Sequence, residues 1–271
     1  TGVIDSKGEI DIDVSGNNAY GLMNFGGAST NVADLDIVAT AQQIARGIWV
    51  TDDNLFGGKA ETTDVVIGSK GSKTEIIAKG ADTKNTAGIW VEKLEKDVGL
   101  TILGDVDIKS DGFGVLAKGG AVANIGTEYA KEIKILSESG RALRAEYGGV
   151  LNVGNVDTET VDITTGNNYA VMALYQESKV GISGKSINIA NNATGVGAVH
   201  AGVNDMLERE YEQLAAVSIE GDNIVITNDA VGGNGVSAMS QGIVDIIGNT
   251  TIKADNAILA RGKSYVNINT S

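Results

Sequence analysis

Apolar and polar residues alternate along this chain in short runs, and the runs recur. The segments 10–14 (IDIDV), 106–109 (VDIK), 133–136 (IKIL), 161–164 (VDIT), 187–190 (INIA) and 224–227 (IVIT) each carry an aliphatic residue at every second position. Strand side chains point alternately to opposite faces, so this period predicts half-buried β-strands. A second set of runs follows at 122–126 (VANIG), 150–154 (VLNVG), 180–184 (VGISG), 243–248 (IVDIIG) and 265–269 (YVNIN). Between them stands a third: a small residue, an aliphatic one, any residue, then usually alanine or valine. These anchors begin at Gly21, Gly47, Gly88, Gly114, Ala142, Ala170, Ala198, Gly235 and Ala257. Their spacings are 26, 41, 26, 28, 28, 28, 37 and 22 residues.

Three short strands per repeat, separated by Gly, Asn, Asp and Ser, predict an all-β fold, specifically a right-handed parallel β-helix. About nine three-strand rungs would stack into one solenoid spanning residues 1–271. An antiparallel sandwich would not repeat one sequence at fixed columns. One position after the anchor, Leu22, Ile48, Ile89, Val115, Leu143, Val171, Val199, Val236 and Ile258 are all aliphatic. Three positions after it, alanine dominates, from Ala117 to Ala260. Both columns are expected to face a continuous core. Ten residues after the anchor, Asn31, Asn124, Asn152, Asp245 and Asn267 align, which predicts an outward or corner polar ladder. The two long spacings predict inserted loops near 51–73 and 204–213. The second, NDMLEREYEQ, carries Met206, Leu207 and Tyr211 at helical spacing, continued by Leu214. Neither end carries a polar cap, so the pattern predicts a segment of a longer protein.

Composition narrows the function classes. With 35 acidic and 21 basic side chains the net charge is −14, which argues against a nucleic-acid partner. Cysteine is absent, which removes thiol catalysis and thiolate zinc sites. No run of 18 apolar residues predicts a membrane-spanning helix.

The repeated units themselves, such as VDIKSDGFGVLAKGGAVANIG at 106–126 and VDITTGNNYAVMALYQESKVGISG at 161–184, resemble the passenger domains of Gram-negative autotransporters, particularly the self-associating adhesin type. The resemblance implies export, display on the bacterial cell surface and a C-terminal membrane barrel outside this sequence. It implies binding to a host matrix protein or surface glycan, or self-association between cells. The chain has neither the Gly-Asp-Ser-Gly of serine-protease passengers nor the Arg-Gly-Asp of some adhesive ones, so the resemblance carries over no site residue.

Candidate chemistry is sparse. Residues 112–117 match a dinucleotide fingerprint loosely, but the slot recurs as strand in every repeat, where a helix is needed. Gly184-Lys185-Ser186 lacks the preceding glycine of a phosphate loop, since Lys179 stands there. His200 is the only histidine, and the repeat explains its position. A polysaccharide lyase or hydrolase remains the enzymatic alternative, with Asp105, Asp107 and Asp111 as acids, Asp36, Asp162 and Asp245 on other repeats, and Arg141 and Arg144 as nearby basic groups. Nothing distinguishes these acids from solvated strand positions, so no catalytic residue, cofactor or metal ligand is assigned.

The column two positions after the anchor is more informative. It should point away from the core and holds both tryptophans, Trp49 and Trp90, then Arg144. One position before the anchor stand Arg46, Phe113, Arg141 and Tyr169. Trp, Tyr and Arg are enriched at interfaces. Together with Leu55 and Phe56 of the first insertion, these residues form the expected ligand-binding stripe. The competing reading is a satellite core covered by the inserted loop.

Overall fold

The computed structural model describes residues 3–53, 61–203 and 214–270. Among these residues the chain is all-β, as the alternating runs predict, with 21 strands, no helix, and parallel pairing throughout. No helix is long and apolar enough to cross a membrane. Each residue pairs with its counterpart one sequence repeat away. The two N-terminal strands, Val3–Phe25 and Ser29–Thr51, run unbroken through what later repeats divide into three. All nine aliphatic residues that follow the anchors stack in one column, from Leu22 through Ile48 and Ile89 to Ile258. The first eight are buried, whereas Ile258 in the last repeat is 48 % exposed.

A second column is chemically uniform. Ile12, Ile37, Ile76, Ile108, Ile135, Ile163, Ile189, Ile226 and Ile252 pair in sequence. The seven from Ile37 to Ile226 are closed to solvent. Each fully buried isoleucine stabilises the fold by about 1.5–3 kcal/mol relative to exposure. This column explains why the anchors are small. A methyl group on Gly114 would lie 2.5 Å from Ile135 Cγ2 and 2.5 Å from the Ala142 carbonyl oxygen. Gly21, Gly47, Gly88 and Gly235 meet Ile37, Ile76, Ile108 and Ile252 of the next repeat in the same way.

Where the strand of the isoleucine column turns, buried polar side chains replace apolar ones. Ser110, Ser137 and Thr165 pair in register, and Asn191 pairs with Asn228. Ser137 donates to the Gly112 carbonyl, Thr165 Oγ1 to Gly140 (2.8 Å), and Asn191 Nδ2 to Asn168 (2.9 Å). Asn228 Nδ2 lies within hydrogen-bond distance of three carbonyls, those of Ala193, Val196 and Asn234, which share its two N–H donors. A buried turn leaves carbonyls without ladder partners, and these side chains supply the donors. The asparagine ladder also forms: Asn152 Nδ2 donates to Asn124 Oδ1 at 2.8 Å, and Asn267 Nδ2 to Asp245 Oδ1 at 2.6 Å.

The 51–73 stretch is not one continuous loop. Val3 pairs with Ser29, 26 residues on, but Ser29 pairs with Asp64, Leu35 with Thr74 and Ile48 with Ile89, at 35, 39 and 41. Most of the extra length therefore lies between Thr51 and Thr63, and the rest is spread over the next two corners. Thr63–Ile67 is a regular strand, because its alternation buries Val65 and Ile67. Further on, Ala173 pairs with Ala201 at 28 residues and Val180 with Val217 at 37, so the offset grows by nine across the second predicted insertion. Its residues 204–213, and the helical spacing read there, lie outside the described residues, as do Leu55 and Phe56.

Filling an anchor should be costly. Gly114→Val is expected to lower unfolding free energy by about 1–3 kcal/mol through overpacking. Gly8→Ala, with no atom within 4 Å of the new methyl, should change it little. Urea midpoints of the two variants check this, and equal midpoints would contradict the packing.

Candidate functional site

The stripe of Trp, Tyr, Phe and Arg faces away from the central core, as its register predicts, but most of it is closed to solvent. Trp49 and Trp90 are paired residues on neighbouring strands, Ser29–Thr51 and Ala87–Glu92. The Arg46 guanidinium packs against both indoles, 4.3 Å from the Trp49 ring centroid and 4.0 Å from that of Trp90. Trp90 stands edge-on to Phe113, with centroids 6.1 Å apart, and clusters with Ala87 and Leu116. Trp90 Nε1 donates to Glu92 Oε2 at 3.2 Å, and Lys118 holds Glu92 at 3.0 Å. Arg46, Trp90, Phe113 and Tyr169 expose 9 % of their surface or less. Burial lowers the Arg46 pKa, and the nearby Tyr20 and Glu92 oppose that effect. An open binding face built on Trp90, Phe113 and Tyr169 is therefore not what the chain forms. These side chains make a satellite layer outside the wall, with Trp90 and Phe113 in one cluster and Tyr169, Met172 and Leu174 in another.

Arg141 and Arg144, both half-buried, stand between two clusters of this layer, with Arg144 paired to Leu116 on one side and Met172 on the other. Both guanidiniums approach Phe113, at 6.0 and 5.5 Å from its ring centroid. Arg144 forms a close ion pair with Glu146. Arg141 makes no ion pair among the described residues, and its Nε is buried without a hydrogen-bond partner. Its pKa is lowered by burial first and by Arg144 second.

Two residues beyond the stripe complete the surface. Tyr147 and Tyr175 occupy the same slot in consecutive repeats, just after the paired residues Glu146 and Leu174. Their rings stack at 4.3 Å with 13° between planes, and Tyr147 is 52 % exposed. Both have left-handed backbones, with φ of 51° and 66°. In the neighbouring and last repeats the slot holds Gly119 and Gly262, each at φ 71°. A left-handed conformation costs a non-glycine residue about 1–2 kcal/mol. The hydrogen bond with Tyr147 and burial raise the Tyr175 pKa. The signal was in the sequence: both tyrosines stand five positions after an anchor, a slot filled by Gly26, Gly119 and Gly262 in three repeats and by Asp52, Lys93, Val203 and Ser240 in the others. Beside Tyr175 a cavity of about 10 Å³, room for about one water, is lined by Gln176, Gly202, Leu214 and Gln241 among others.

The other candidates are placed as follows. Asp105 Oδ1 accepts from the Lys131 and Glu132 backbone amides at 2.6 and 2.9 Å, and Asp111 Oδ2 accepts from Gly80 N at 3.0 Å. Asp11, Asp36, Glu75 and Asp107 form an outward column in consecutive register, followed by Lys134 and Asp162. Carboxylate oxygens of Glu9, Asp11 and Asp36 lie within 4.8 Å of one another. Calcium takes six to eight oxygens, so three carboxylates are a partial set. Burial raises the Asp36 pKa, with further contributions from Glu75 and Asp11. Asp52, fully buried, accepts from the backbone amides of Leu94 (2.7 Å), Glu95 (2.6 Å) and Lys96. Burial would raise its pKa, and these three donors outweigh that and hold it low.

His200 is sealed in the satellite layer under Tyr169, with centroids 4.7 Å apart. Its Nε2 faces the Gly202 carbonyl at 3.0 Å, which assigns the proton there and leaves Nδ1 to accept from the Ser237 hydroxyl at 2.8 Å. Ser237 is buried too, so this pair is a structural one. Burial pushes the His200 pKa down to about 4, and Arg141 adds to the shift. Comparison of the chain with family models, curated proteins and solved structures gives no match.

Two outcomes follow from this packing. Trp90→Ala should cost about 3–5 kcal/mol and lower the melting temperature by roughly 10 °C. An unchanged melt would mean that the indole is free. His200 stays neutral in the fold while the unfolded chain takes up its proton near pH 6.5. Stability should thus fall as pH drops from about 6.5 to 4 and level off below, a loss on the order of 3 kcal/mol. Urea midpoints at pH 7.5 and 4.5 should differ more for the wild type than for His200→Gln, and equal differences would refute the assignment.

Proposed function

We propose that this chain is a right-handed parallel β-helix of about nine three-strand turns, part of a surface-displayed passenger of the autotransporter adhesin type. It acts as a binding module for a host or bacterial surface molecule, a glycan or matrix protein, and not as a polysaccharide-degrading enzyme. The parallel return of each strand to its counterpart one repeat away supports the β-helix, and the crossover rule supports its hand. The absence of cysteine and the repeated units support export to the cell surface; the net charge of −14 disfavours nucleic acid.

The observation that carries the binding role is the stacked Tyr147–Tyr175 pair on left-handed backbone, with Tyr147 exposed and Tyr175 half-buried. Strain of this kind persists where the surrounding structure holds it in place, and at this slot three other repeats have glycine, Gly26, Gly119 and Gly262. Flat tyrosine rings supply large contact area at low entropy cost. The contact surface thus moves from the tryptophans to this corner, with Arg144 and Glu146 on the strand that leads into it. Self-association between cells would use the same outer surface.

A panel of glycans and matrix proteins tests the role, with retention and newly formed reducing or unsaturated ends both assayed. The expected result is retention without product, weakened at least fivefold by Tyr147→Gly with Tyr175→Gly. Relief of strain and loss of stacking nearly cancel, so the melt should stay within about 4 °C. Product formation would overturn the reading in favour of an enzyme, and undiminished retention would remove the tyrosine corner from it.

A further inference from the structure

We infer that Tyr147 and Tyr175 form an oxidative cross-linking site, at which a peroxide-driven one-electron oxidant joins the two rings by a carbon–carbon bond and ties consecutive repeats together. The inference goes beyond the adhesive reading and does not depend on it. Geometry is the first reason. The two residues directly follow the paired residues Glu146 and Leu174, so their backbones lie about one strand spacing apart, roughly 4.8 Å. Both backbones are left-handed, with φ of 51° and 66°, so the side chains leave the corner in nearly the same direction. The ring planes are 13° apart, with centroids at 4.3 Å. The two hydroxyls are hydrogen-bonded to each other. Contact at both the ring centres and the oxygen ends aligns the rings lengthwise. The Cε atoms, which flank the carbon bearing the oxygen, therefore face one another, and phenoxyl radicals couple at those carbons. This is the only tyrosine–tyrosine ring contact among the described residues.

The corner holds the arrangement. The buried Ser178 hydroxyl donates to the Leu174 carbonyl and accepts from Gly148 N at 3.1 Å, so it ties the residue before Tyr175 to the residue after Tyr147. Access differs between the rings, since Tyr147 is 52 % exposed and Tyr175 is half-buried. The oxidant therefore acts on Tyr147 and takes one electron and one proton from its phenol. Hydrogen transfer across the shared hydrogen bond restores the Tyr147 phenol and leaves the radical on Tyr175. A second oxidation of Tyr147 gives the radical pair, whose Cε atoms bond. Each bonded carbon then releases its proton and the ring oxygen takes one up, which restores two phenols. In sum, two tyrosines and one hydrogen peroxide give one dityrosine and two waters. Holding the reacting carbons in contact makes the coupling intramolecular, which favours it over coupling between chains. The chain has no cysteine, so no thiol competes for the oxidant. Like a disulfide, the new bond would restrict the unfolded chain.

The test treats dilute chain with limiting hydrogen peroxide and a haem peroxidase, with free tyrosine in a parallel mixture to show that the oxidant couples phenols. The expected product is a monomer lighter by two hydrogen atoms that carries dityrosine fluorescence. Cleavage after glutamate separates residues 147–159 from 160–177, and in the product these two peptides should stay joined, with fragmentation placing the bond between Tyr147 and Tyr175. The link should form at least tenfold faster in the folded chain than in urea, each rate taken relative to free tyrosine in the same solvent. Tyr147→Phe and Tyr175→Phe keep a ring in the stack, should melt as the wild type does, and should each abolish the link. Coupling of free tyrosine without a link in the folded chain would overturn the inference. So would an equal relative rate in urea, or a link between the two peptides that survives in either variant. The adhesive reading is judged separately, by retention on the panel.

Discussion

The packing of one isoleucine column against the small anchor residues governs this molecule. Isoleucines from Ile12 to Ile252 fall in register, and each glycine anchor abuts the isoleucine of the following repeat so closely that a methyl group would collide. The constraint acts along the chain as well as across it. A small anchor lets the next strand approach, and the approach buries the aliphatic residue one position later. That burial fixes which face of the strand looks outward. A register slip of one residue would turn every inward side chain outward, so the repeat specifies its own alignment.

Outward faces then divide into three kinds. On the isoleucine strand the outward column is acidic and solvated, with its carboxylates mutually repelling or capping backbone amides. On the strand that ends at Ile125 and Val153, amides run in a ladder. On the anchor strand the outward residues are large and interlock into a second apolar layer, sealed around Trp90, Phe113, Tyr169 and His200. This layer changes where recognition can occur. Aromatic residues in the strand are used for packing, and those at its end, on left-handed corner residues, remain open. Arg141 and Arg144 stand between two clusters of the apolar layer.

Most of the architecture was legible in the sequence because a solenoid-like repeat writes its contacts at fixed spacing. The anchors, the aliphatic column that follows them and the asparagine ladder read directly from Leu22, Val115 or Asn152 and their equivalents. Anchor spacing alone cannot distribute the extra residues of the first insertion among three corners. Only the pairing of Ser29 with Asp64 and Leu35 with Thr74 does so. The burial of the tryptophans was open from sequence, since outward direction does not imply exposure when neighbours such as Arg46 and Phe113 interlock. Tyr147 and Tyr175 were missed for a different reason. Their slot is a turn, where hydrophobic periodicity carries no information, and only the glycines at equivalent positions reveal that an aromatic residue there is strained.

The absence of cysteine makes the register directly measurable. Lys134 pairs with Asp162, outside the core on neighbouring strands of the isoleucine wall. Paired Cα atoms about 4.8 Å apart fall within disulfide reach, whereas Thr164, two residues further on, stands about 8 Å away and beyond it. Mild oxidation of Lys134→Cys with Asp162→Cys should therefore close a disulfide in the folded chain, and Lys134→Cys with Thr164→Cys should leave both thiols free. Cross-linking of the second pair and not the first would contradict the register on which the whole account stands.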